Sequence, residues 1–255
     1  MLEITWPEAK EIIQKEKIAI IPIGSCEQHG PHAPLGTDFI IAKELGQEIA
    51  SRENVLSTPA IPVGVSAHHR HFWGTLWTSP ETFKNYIKDV VRSLGYHGVE
   101  KVVFVNGHGG NHEPLREVAS AIRKQEEIYC LEWTWFLSVE ELIGELFEGR
   151  ALRHADSPEV SVLLSVQKGM VREDLLGEAK DGCASQWGNY REGVDTSYDV
   201  LDFSENGVVD ACGDPTQIDV NKGEKIYSAA KESLSNLVSW LKETELQELL
   251  AKPHK

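Results

Sequence analysis

The sequence predicts an α/β protein with a mostly parallel central sheet and helices on both faces. Two short runs, 18–23 and 101–105, are rich in apolar, β-branched residues, as in strands buried on both faces. Each run is followed by a glycine-containing polar segment and then by a helical pattern. Alternation of this kind indicates βαβ units, because parallel strands require crossover connections.

Local patterns predict the remaining elements. Pro80 directly after Ser79 and Gly95 near the far end favour one helix, since proline is common at helix starts and glycine at helix ends. The C-terminal helix carries an apolar stripe. The predicted helices are 9–17, 39–52, 80–94, 113–124 and 222–250, and two further strands are predicted within 56–63 and 128–136.

Length and composition predict one domain, 1–255, with a single sizeable core. Apolar and charged residues make up 41% and 25%, as in ordinary soluble globular proteins. Residues 181–219 differ, because they are rich in Gly, Asp and Ser with scattered aromatic residues. We expect a long functional loop or lid there.

Charge and cysteine pattern restrict the partners and the compartment. A formal net charge of −15 argues against nucleic acid, whose binding depends on Lys and Arg. The four cysteines form no C-x-x-C pair, which favours a reduced setting. The N-terminus lacks the apolar core of a signal peptide, and no run approaches a membrane span of ~18 apolar residues. We therefore expect a cytoplasmic protein with a small-molecule substrate.

Glu27 and His29, separated by one residue, follow the first predicted strand, and Asp38 comes nine residues after His29. Imidazole and carboxylate are the ligands of Zn²⁺, Mn²⁺ and Fe²⁺ sites. Asp38 also precedes a helical pattern, where aspartate is a favoured N-cap, so it could be a cap or a carboxylate that bridges two metal ions.

His108 lies in the glycine-rich segment 106–111, after the second predicted buried strand. In open α/β sheets ligands bind beyond the carboxyl ends of the strands, so this segment could meet the one that carries Glu27 and His29. Alternatively, these are ordinary loop histidines and the glycines merely form a turn. A Rossmann-like nucleotide or phosphate binder is a third hypothesis, although G-x-G-x-x-G spacing and a Walker lysine are lacking.

Two further segments, and Cys26 next to Glu27, carry candidate functional residues. Glu159 could complete a metal shell or simply favour the N-terminus of a helix capped by Ser157. His154 could act as a general acid or base near neutral pH. His69 and the tryptophans that follow it could form a substrate wall or belong to the core. Cys26 could be a nucleophile, but cysteine is also commonly a small buried hydrophobe.

Together these segments resemble the creatininase family. The family segment PxGSxEQHGPHLPLxTD appears as IPIGSCEQHGPHAPLGTD, and NGHGGN at 106–111 matches as it stands. The family segment G-x-S-x-x-H-x-x-F-P-G-T appears at 64–75 with Trp73 in place of proline, and H-A-G-E-x-E-T-S appears at 154–161 with His154 and Glu159 in place. Residues 213–215 and 222–223 resemble the late G-D-P…K-G segment of the family.

The resemblance implies a three-layer α/β/α sandwich that binds two divalent metal ions (Zn, Mn or Fe). The implied metal ligands are Glu27, His29, Asp38, His108 and Glu159, with Asp38 as the bridge. His154 corresponds to a family histidine near the substrate, and relatives are often homohexameric, so a homo-oligomer is expected. We expect the substrate to contact Ser66, His69, Trp73, Gly109 and Gly110.

One departure from the family bears on the substrate. In creatininase itself the segment that corresponds to 106–111 resembles N-G-H-Y-E-N, with a metal-binding glutamate two residues after the histidine. This chain has Gly110 at that position. The ligand role then passes to Glu159, and creatinine is not the expected substrate.

The resemblance implies an amidohydrolase that cleaves a C–N bond of a small, possibly cyclic amide through a metal-bridging hydroxide, with His154 as proton shuttle. A metal-dependent C–C hydrolase that opens a cyclic diketone, such as an inositol-derived ketone, is the alternative.

Overall fold

The computed structural model describes residues 1–70, 72–148, 154–181 and 215–250. Within these ranges, four strands form one parallel sheet in the order β2-β1-β3-β4. The strands are β1 (Ile18–Ile23), β2 (Leu56–Ser57), β3 (Lys101–Asn106) and β4 (Tyr129–Thr134). All residues of β1 and β3 are buried, as their continuous apolar runs predict. The predicted parallel sheet is therefore confirmed.

Helices alternate with the strands and account for most of the remaining described chain. In chain order they are α1 (Trp6–Glu16), α2 (Thr37–Glu53), α3 (Pro80–Tyr96), α4 (His112–Gln125), α5 (Glu140–Leu146), α6 (Ser157–Val166), α7 (Leu176–Asp181), α8 (Val220–Glu243) and α9 (Leu246–Leu249). Among these ranges, no helix is long and apolar enough to cross a membrane.

Two hydrophobic cores lie on the two faces of the sheet. Alternate residues of β1 point to opposite faces, as in any strand, so Ile20 belongs to one core and Ile21 to the other. The first core contains side chains of α2, α5, α6 and α8, and the second contains side chains of α1, α3 and α4. The sheet therefore lies between two helical layers, which confirms the α/β/α sandwich.

Several predicted boundaries shift by a few residues, and two predictions need larger corrections. The strand predicted within 56–63 is only Leu56–Ser57, with one isolated bridge between Ile23 and Ile61. Pro59 and Pro62 have no backbone N–H to donate, so a longer ladder cannot form there. The predicted helix 222–250 is two helices, α8 and α9, separated at Thr244, whose backbone is extended.

Candidate metal centre

The predicted ligands lie together at the carboxyl edge of the sheet. Glu27 and His29 follow β1, and His108 follows β3, its neighbour in the sheet. Asp38 lies in the first turn of α2, and Glu159 lies in the first turn of α6. All five residues are at most 5% exposed. The convergence expected from two neighbouring parallel strands is therefore present.

These five residues form two sets that share Asp38. In the set of Glu27, Asp38 and His108, the His108 Nδ1 atom lies 3.1 Å from Glu27 Oε1 and 3.1 Å from Asp38 Oδ2. In the set of His29, Asp38 and Glu159, the His29 Nε2 atom lies 3.1 Å from Asp38 Oδ1 and 3.6 Å from Glu159 Oε2. The two oxygens of Asp38 therefore face different sets, as a carboxylate between two ions does.

Backbone carbonyls fix which nitrogen each imidazole presents. The His29 Nδ1 atom lies 3.1 Å from the Glu27 carbonyl oxygen, so Nδ1–H donates and Nε2 faces the carboxylates. In His108 the roles are reversed, because Nε2–H donates to the Val65 carbonyl at 3.1 Å and Nδ1 faces the carboxylates. Metal-binding histidines commonly donate their second N–H in this way. Each ring thus presents one nitrogen to the carboxylates, as a metal ligand would.

The donor atoms of the site fit divalent cations. Both oxygens of Glu27 and Oδ2 of Asp38 are buried, yet they accept no hydrogen bond of acceptable geometry among the described residues. Glu159 adds a third buried carboxyl within the same small volume. Burying carboxylates in this way is costly unless they are paired or bind metal. The arrangement of oxygen and nitrogen donors suits Zn²⁺, Mn²⁺ or Fe²⁺.

Charges inside the site shift the pKa values of its members. Burial lowers the pKa of His29, but Asp38 and Glu159 together outweigh burial and raise it to about 10. Burial raises the pKa of Glu159 to about 7, against the opposing effect of His29. Burial also raises the pKa of Asp38, but His29 and His108 outweigh it and hold this pKa well below its usual value. Asp38 is therefore the carboxylate that stays ionised.

Glu159 is held by an unusual backbone conformation. Its Oε2 accepts the Ala155 N–H at 2.8 Å, and Ala155 has φ of +57°. The left-handed region costs a residue other than glycine roughly 1–2 kcal/mol, so the surrounding structure must hold Ala155 there. Asp156 is the N-cap residue of α6, so the prediction that Ser157 caps this helix is wrong by one residue. The Ser157 hydroxyl instead accepts the Gln217 N–H at 3.1 Å.

Glycines and asparagines of the segment 106–111 let the ligand loops approach closely. A Cβ atom at Gly107 would lie 2.4 Å from the Asp38 carbonyl oxygen, and one at Gly110 would lie 2.3 Å from the Val65 carbonyl oxygen. Asn106 Oδ1 accepts the His108 N–H at 3.1 Å. The conformation of this segment therefore leaves no room for a side chain at Gly110, and Glu159 supplies the carboxylate near Asp38.

Asn111 joins the loops that follow β1 and β2. Its Nδ2 donates to the Gly24 carbonyl at 3.0 Å, and its Oδ1 accepts the Val65 N–H at 2.9 Å. The same residue thus fixes the position of the Val65 carbonyl, which orients the ring of His108. Asn111 is not among the residues to which the sequence assigns a role, although its place at the end of the NGHGGN segment is a usable signal.

Gln28, which lies between Glu27 and His29, has a role that the sequence did not predict. Its Oε1 accepts the Gly30 N–H at 2.9 Å, which fixes the orientation of the amide. Its Nε2 therefore donates to His69 Nδ1 and to His154 Nε2, both at 2.8 Å. Gln28 holds two imidazoles against the ligand sets.

Both of these imidazoles are neutral near pH 7. Burial lowers the pKa of His69, and burial together with His29 lowers the pKa of His154. Because Gln28 engages Nε2 of His154, its Nδ1 is the atom that faces the site, 3.7 Å from Glu27 Oε1. His154, Glu27 and His29 form a third group with the spacing of metal ligands, so proximity alone does not separate a catalytic from a ligand role for His154.

Two alternatives from the sequence are resolved by geometry. Asp38 is not the N-cap of α2, because Gly36 occupies that position, and both Asp38 oxygens face imidazoles. The Cys26 Sγ atom lies 3.8 Å from the Gly74 carbonyl oxygen. Burial raises the pKa of this thiol, which disfavours a nucleophilic thiolate.

The predicted substrate-binding residues are placed differently from one another. His69 is buried, with its Nε2 atom 3.4 Å from Glu27 Oε1. Ser66 is also buried, and its hydroxyl donates to the Leu76 carbonyl at 3.1 Å. Gly109 is exposed, with open space where a side chain would stand. Trp73 is 99% exposed, so its side chain does not pack against the ligand sets. Substrate contacts by these residues stay predictions.

Some predictions fall outside the described residues. The segment expected to form a loop or lid, 181–219, lies largely in the range 182–214, of which the structure describes nothing. The first part of the late G-D-P segment lies there too. Residues 215–219 are described, and the Asp219 N–H donates to the Ser161 hydroxyl of α6 at 2.9 Å. This contact places the start of α8 beside the helix that carries Glu159.

Comparisons with known proteins agree with this geometry. A family model described as Creatininase: Creatinine amidohydrolase matches residues 2–238. The mycofactocin precursor peptide peptidase of Mycobacterium ulcerans (strain Agy99) is 31% identical over 250 residues, covering 94% of this chain and 88% of that protein. The creatinine amidohydrolase of Pseudomonas putida is 25% identical over 192 residues, covering 68% of this chain and 74% of that protein.

Solved structures with a similar fold include creatininases. A solved tryptophan-to-alanine mutant of creatininase aligns with a TM-score of 0.81 at 20% identity, covering 96% of this chain and 98% of that chain. The family model spans nearly the whole chain, and the site residues that carried the resemblance lie together in space. The chain therefore belongs to the creatininase family and is a metal-dependent hydrolase.

Proposed function

We propose that the protein is a dinuclear hydrolase that cleaves the C–N bond of an amide. The observation that carries the proposal is the pair of ligand sets that share Asp38, each of whose oxygens faces a different histidine. Two-metal sites of hydrolases hold their ions ~3.5–4 Å apart, a separation that one bridging carboxylate can span. Fold neighbours include a creatininase variant of Zn–Zn type and a creatininase with Mn, which supports either metal here.

The residues of the chain divide the work of amide hydrolysis. Glu27, His29, Asp38, His108 and Glu159 would hold two divalent ions. When bound, such ions lower the pKa of a water molecule and polarise a carbonyl group. His154 is neutral near pH 7, so it can take a proton from the attacking water and pass it to the nitrogen that leaves, which returns the ring to its neutral form. Gln28 donates to Nε2 of His154 and so keeps Nδ1 of the same ring directed at the site.

An amide is the favoured substrate class because the two relatives reported above, which cover 94% and 68% of this chain, are named for C–N cleavage. One is a peptidase and the other an amidohydrolase. We propose a small or cyclic amide as the substrate. Trp73, Ser66, His69, Gly109 and Gly110 are proposed to contact it.

Metal analysis combined with product analysis tests the proposal. The purified protein is assayed for Zn, Mn and Fe and then incubated with lactams, formamides, short peptides and a cyclic diketone. We expect two metal ions per chain and release of an amine, abolished by a chelator and restored by metal. Turnover of the diketone alone, or amine release that survives complete metal removal, would contradict it. The His154→Ala variant is the control for non-enzymatic cleavage by bound metal.

A further inference from the structure

We infer that His32 is a positioning residue that holds the ligand Glu159 in place through the backbone of Ala155. His32 lies in the same loop as His29 but belongs to none of the groups with metal-ligand spacing. The inference rests on the proposed function, because it concerns the set that contains Glu159.

The ring of His32 makes one specific contact. The side chain is fully buried, and its Nε2 atom lies 3.1 Å from the Ala155 carbonyl oxygen. Burial lowers the pKa of His32 to about 4, so the ring is neutral at pH 7 and carries one N–H. A carbonyl can only accept, so that N–H is on Nε2. Nδ1 has no hydrogen-bond partner among the described residues, which leaves Ala155 as the partner of the ring there.

The backbone N–H of Ala155 contacts Glu159, the proposed metal ligand. The Ala155 N–H donates to Glu159 Oε2 at 2.8 Å, and the same oxygen faces His29 Nε2 at 3.6 Å. Hydrogen bonds on the two peptide groups that flank Ala155 therefore fix its φ and ψ. Since Ala155 has φ of +57°, a conformation that alanine disfavours, loss of the His32 bond lets it rotate away. Rotation would move the N–H from Glu159.

His32 is itself held firmly. Its carbonyl accepts the Arg172 N–H at 2.8 Å, and an isolated bridge joins His29 to Ala33 on either side of it. The loop that supplies His29 thus also fixes the start of α6, which supplies Glu159. A single loop thereby fixes the position of His29 relative to Glu159, two members of the same set.

The other ligand set is oriented by different groups. Val65 and Asn106 hold His108, and neither of them contacts His32 in the bonds described. Removal of His32 should therefore weaken only one of two bound ions. A purely structural role would instead weaken both or neither.

Zn²⁺ titration of the metal-free full chain against a competing chelator tests this inference. The variants are His32→Leu, which removes the donor, and His32→Gln, whose amide N–H can reach the position of Nε2. In His32→Leu we expect one Zn²⁺ to bind ~10–100-fold more weakly, the usual cost of losing such a partner, with the other unchanged. His32→Gln should recover most of that affinity.

Lys101→Met is the control for general loss of stability. Lys101 is buried away from the ligands and donates to the Leu241 and Thr244 carbonyls, both at 2.6 Å. The Lys101→Met variant should unfold at lower urea concentration than the wild type and still bind both ions with unchanged affinity. Circular dichroism confirms that each variant is folded before titration.

Each outcome decides the inference. Two unchanged affinities in His32→Leu, or equal weakening of both, would overturn it while the proposed function stands. Absence of Zn²⁺ binding by the wild type would overturn both. If His32→Leu does not fold, His32→Asn replaces it, because its shorter amide reaches only the position of Nδ1. Equal affinities in His32→Asn and His32→Gln would then overturn the inference.

Discussion

Asp38→Ala separates the bridging role from a helix-capping role, and Asp219→Ala is its matched control. Both aspartates lie at the start of a helix, but only Asp219 caps one, accepting the Asn221 and Lys222 N–H groups at 2.8 and 3.2 Å. Loss of an N-cap costs ~0.5–2 kcal/mol of unfolding free energy. A bound ion at 100 times its dissociation constant adds about 2.7 kcal/mol, so two ions add about 5 kcal/mol.

The assay is urea unfolding of the wild type and both variants, each with and without Zn²⁺, together with metal analysis. The wild type should gain about 5 kcal/mol from Zn²⁺ at 100-fold excess over both dissociation constants. Asp219→Ala should keep this gain and lose about 1 kcal/mol in both conditions. Asp38→Ala should lose nearly all of the gain, because each ligand set loses one oxygen.

The refuting result is specific. If Asp38→Ala keeps two Zn²⁺ per chain and the full metal-dependent gain, Asp38 does not bridge the two sets. A loss of only one ion would also contradict the bridge, since Oδ1 and Oδ2 face different histidines.

Three further predictions concern single residues and pH. His154→Ala should keep two metal ions and lower kcat by ~10²–10⁴-fold, the usual contribution of a general acid or base; loss of a metal ion would instead make His154 a ligand. Gly110→Ala should weaken metal binding ~10–100-fold, because its Cβ would lie 2.5 Å from the His108 Nε2 atom and disturb its hydrogen bond. Gly109→Ala, which has open space at that position, is the control, and equal metal binding by the two variants would refute the steric argument. The pKa of His29 is about 10 when folded and near 6.5 when unfolded, so its stabilisation is complete below pH 6.5 and is lost as pH rises through 10. The Tm of the chelator-treated protein should therefore fall between pH 7 and pH 10, whereas the Zn²⁺-loaded protein should show a smaller fall.

The buried strands and the position of the ligands could be predicted from the sequence. Continuous apolar runs identify β1 and β3, and the carboxyl ends of neighbouring parallel strands lie at one edge of the sheet. That rule alone places Glu27, His29 and His108 near one another. Assigning Glu159 required the family resemblance, because its position in a first helical turn has an equally good electrostatic explanation.

The hydrogen bonds of Gln28 to His154 and of His32 to Ala155 could not be predicted, because they join residues far apart in the chain. Gln28 contacts His154, and His32 contacts Ala155, across more than a hundred residues. A single sequence contains no signal for such pairs. The φ of Ala155 is equally hidden, since alanine gives no indication of a left-handed conformation.

Trp73 shows the opposite problem, a residue whose type suggested more than its placement supports. Tryptophan beside histidines reads naturally as a pocket wall, yet its side chain is 99% exposed. Composition indicates that a segment contains aromatic surface but not which side of a loop bears it. The path of the backbone sets that direction, and here it turns at Gly74, which has φ of +90°.

The distribution of the ligands along the chain links metal binding to the order of assembly. Glu27, Asp38 and His108 all lie within the first 111 residues, after β1, at the start of α2 and after β3 respectively. Glu159 comes from α6, which packs on α2 and α8 after the rest of the sheet has been completed in sequence. The closure entropy for the second set is larger, because its loop is longer. In the proposed dinuclear site, one ion would take its ligands from residues before position 112 alone, whereas the other would also need α6 to be docked.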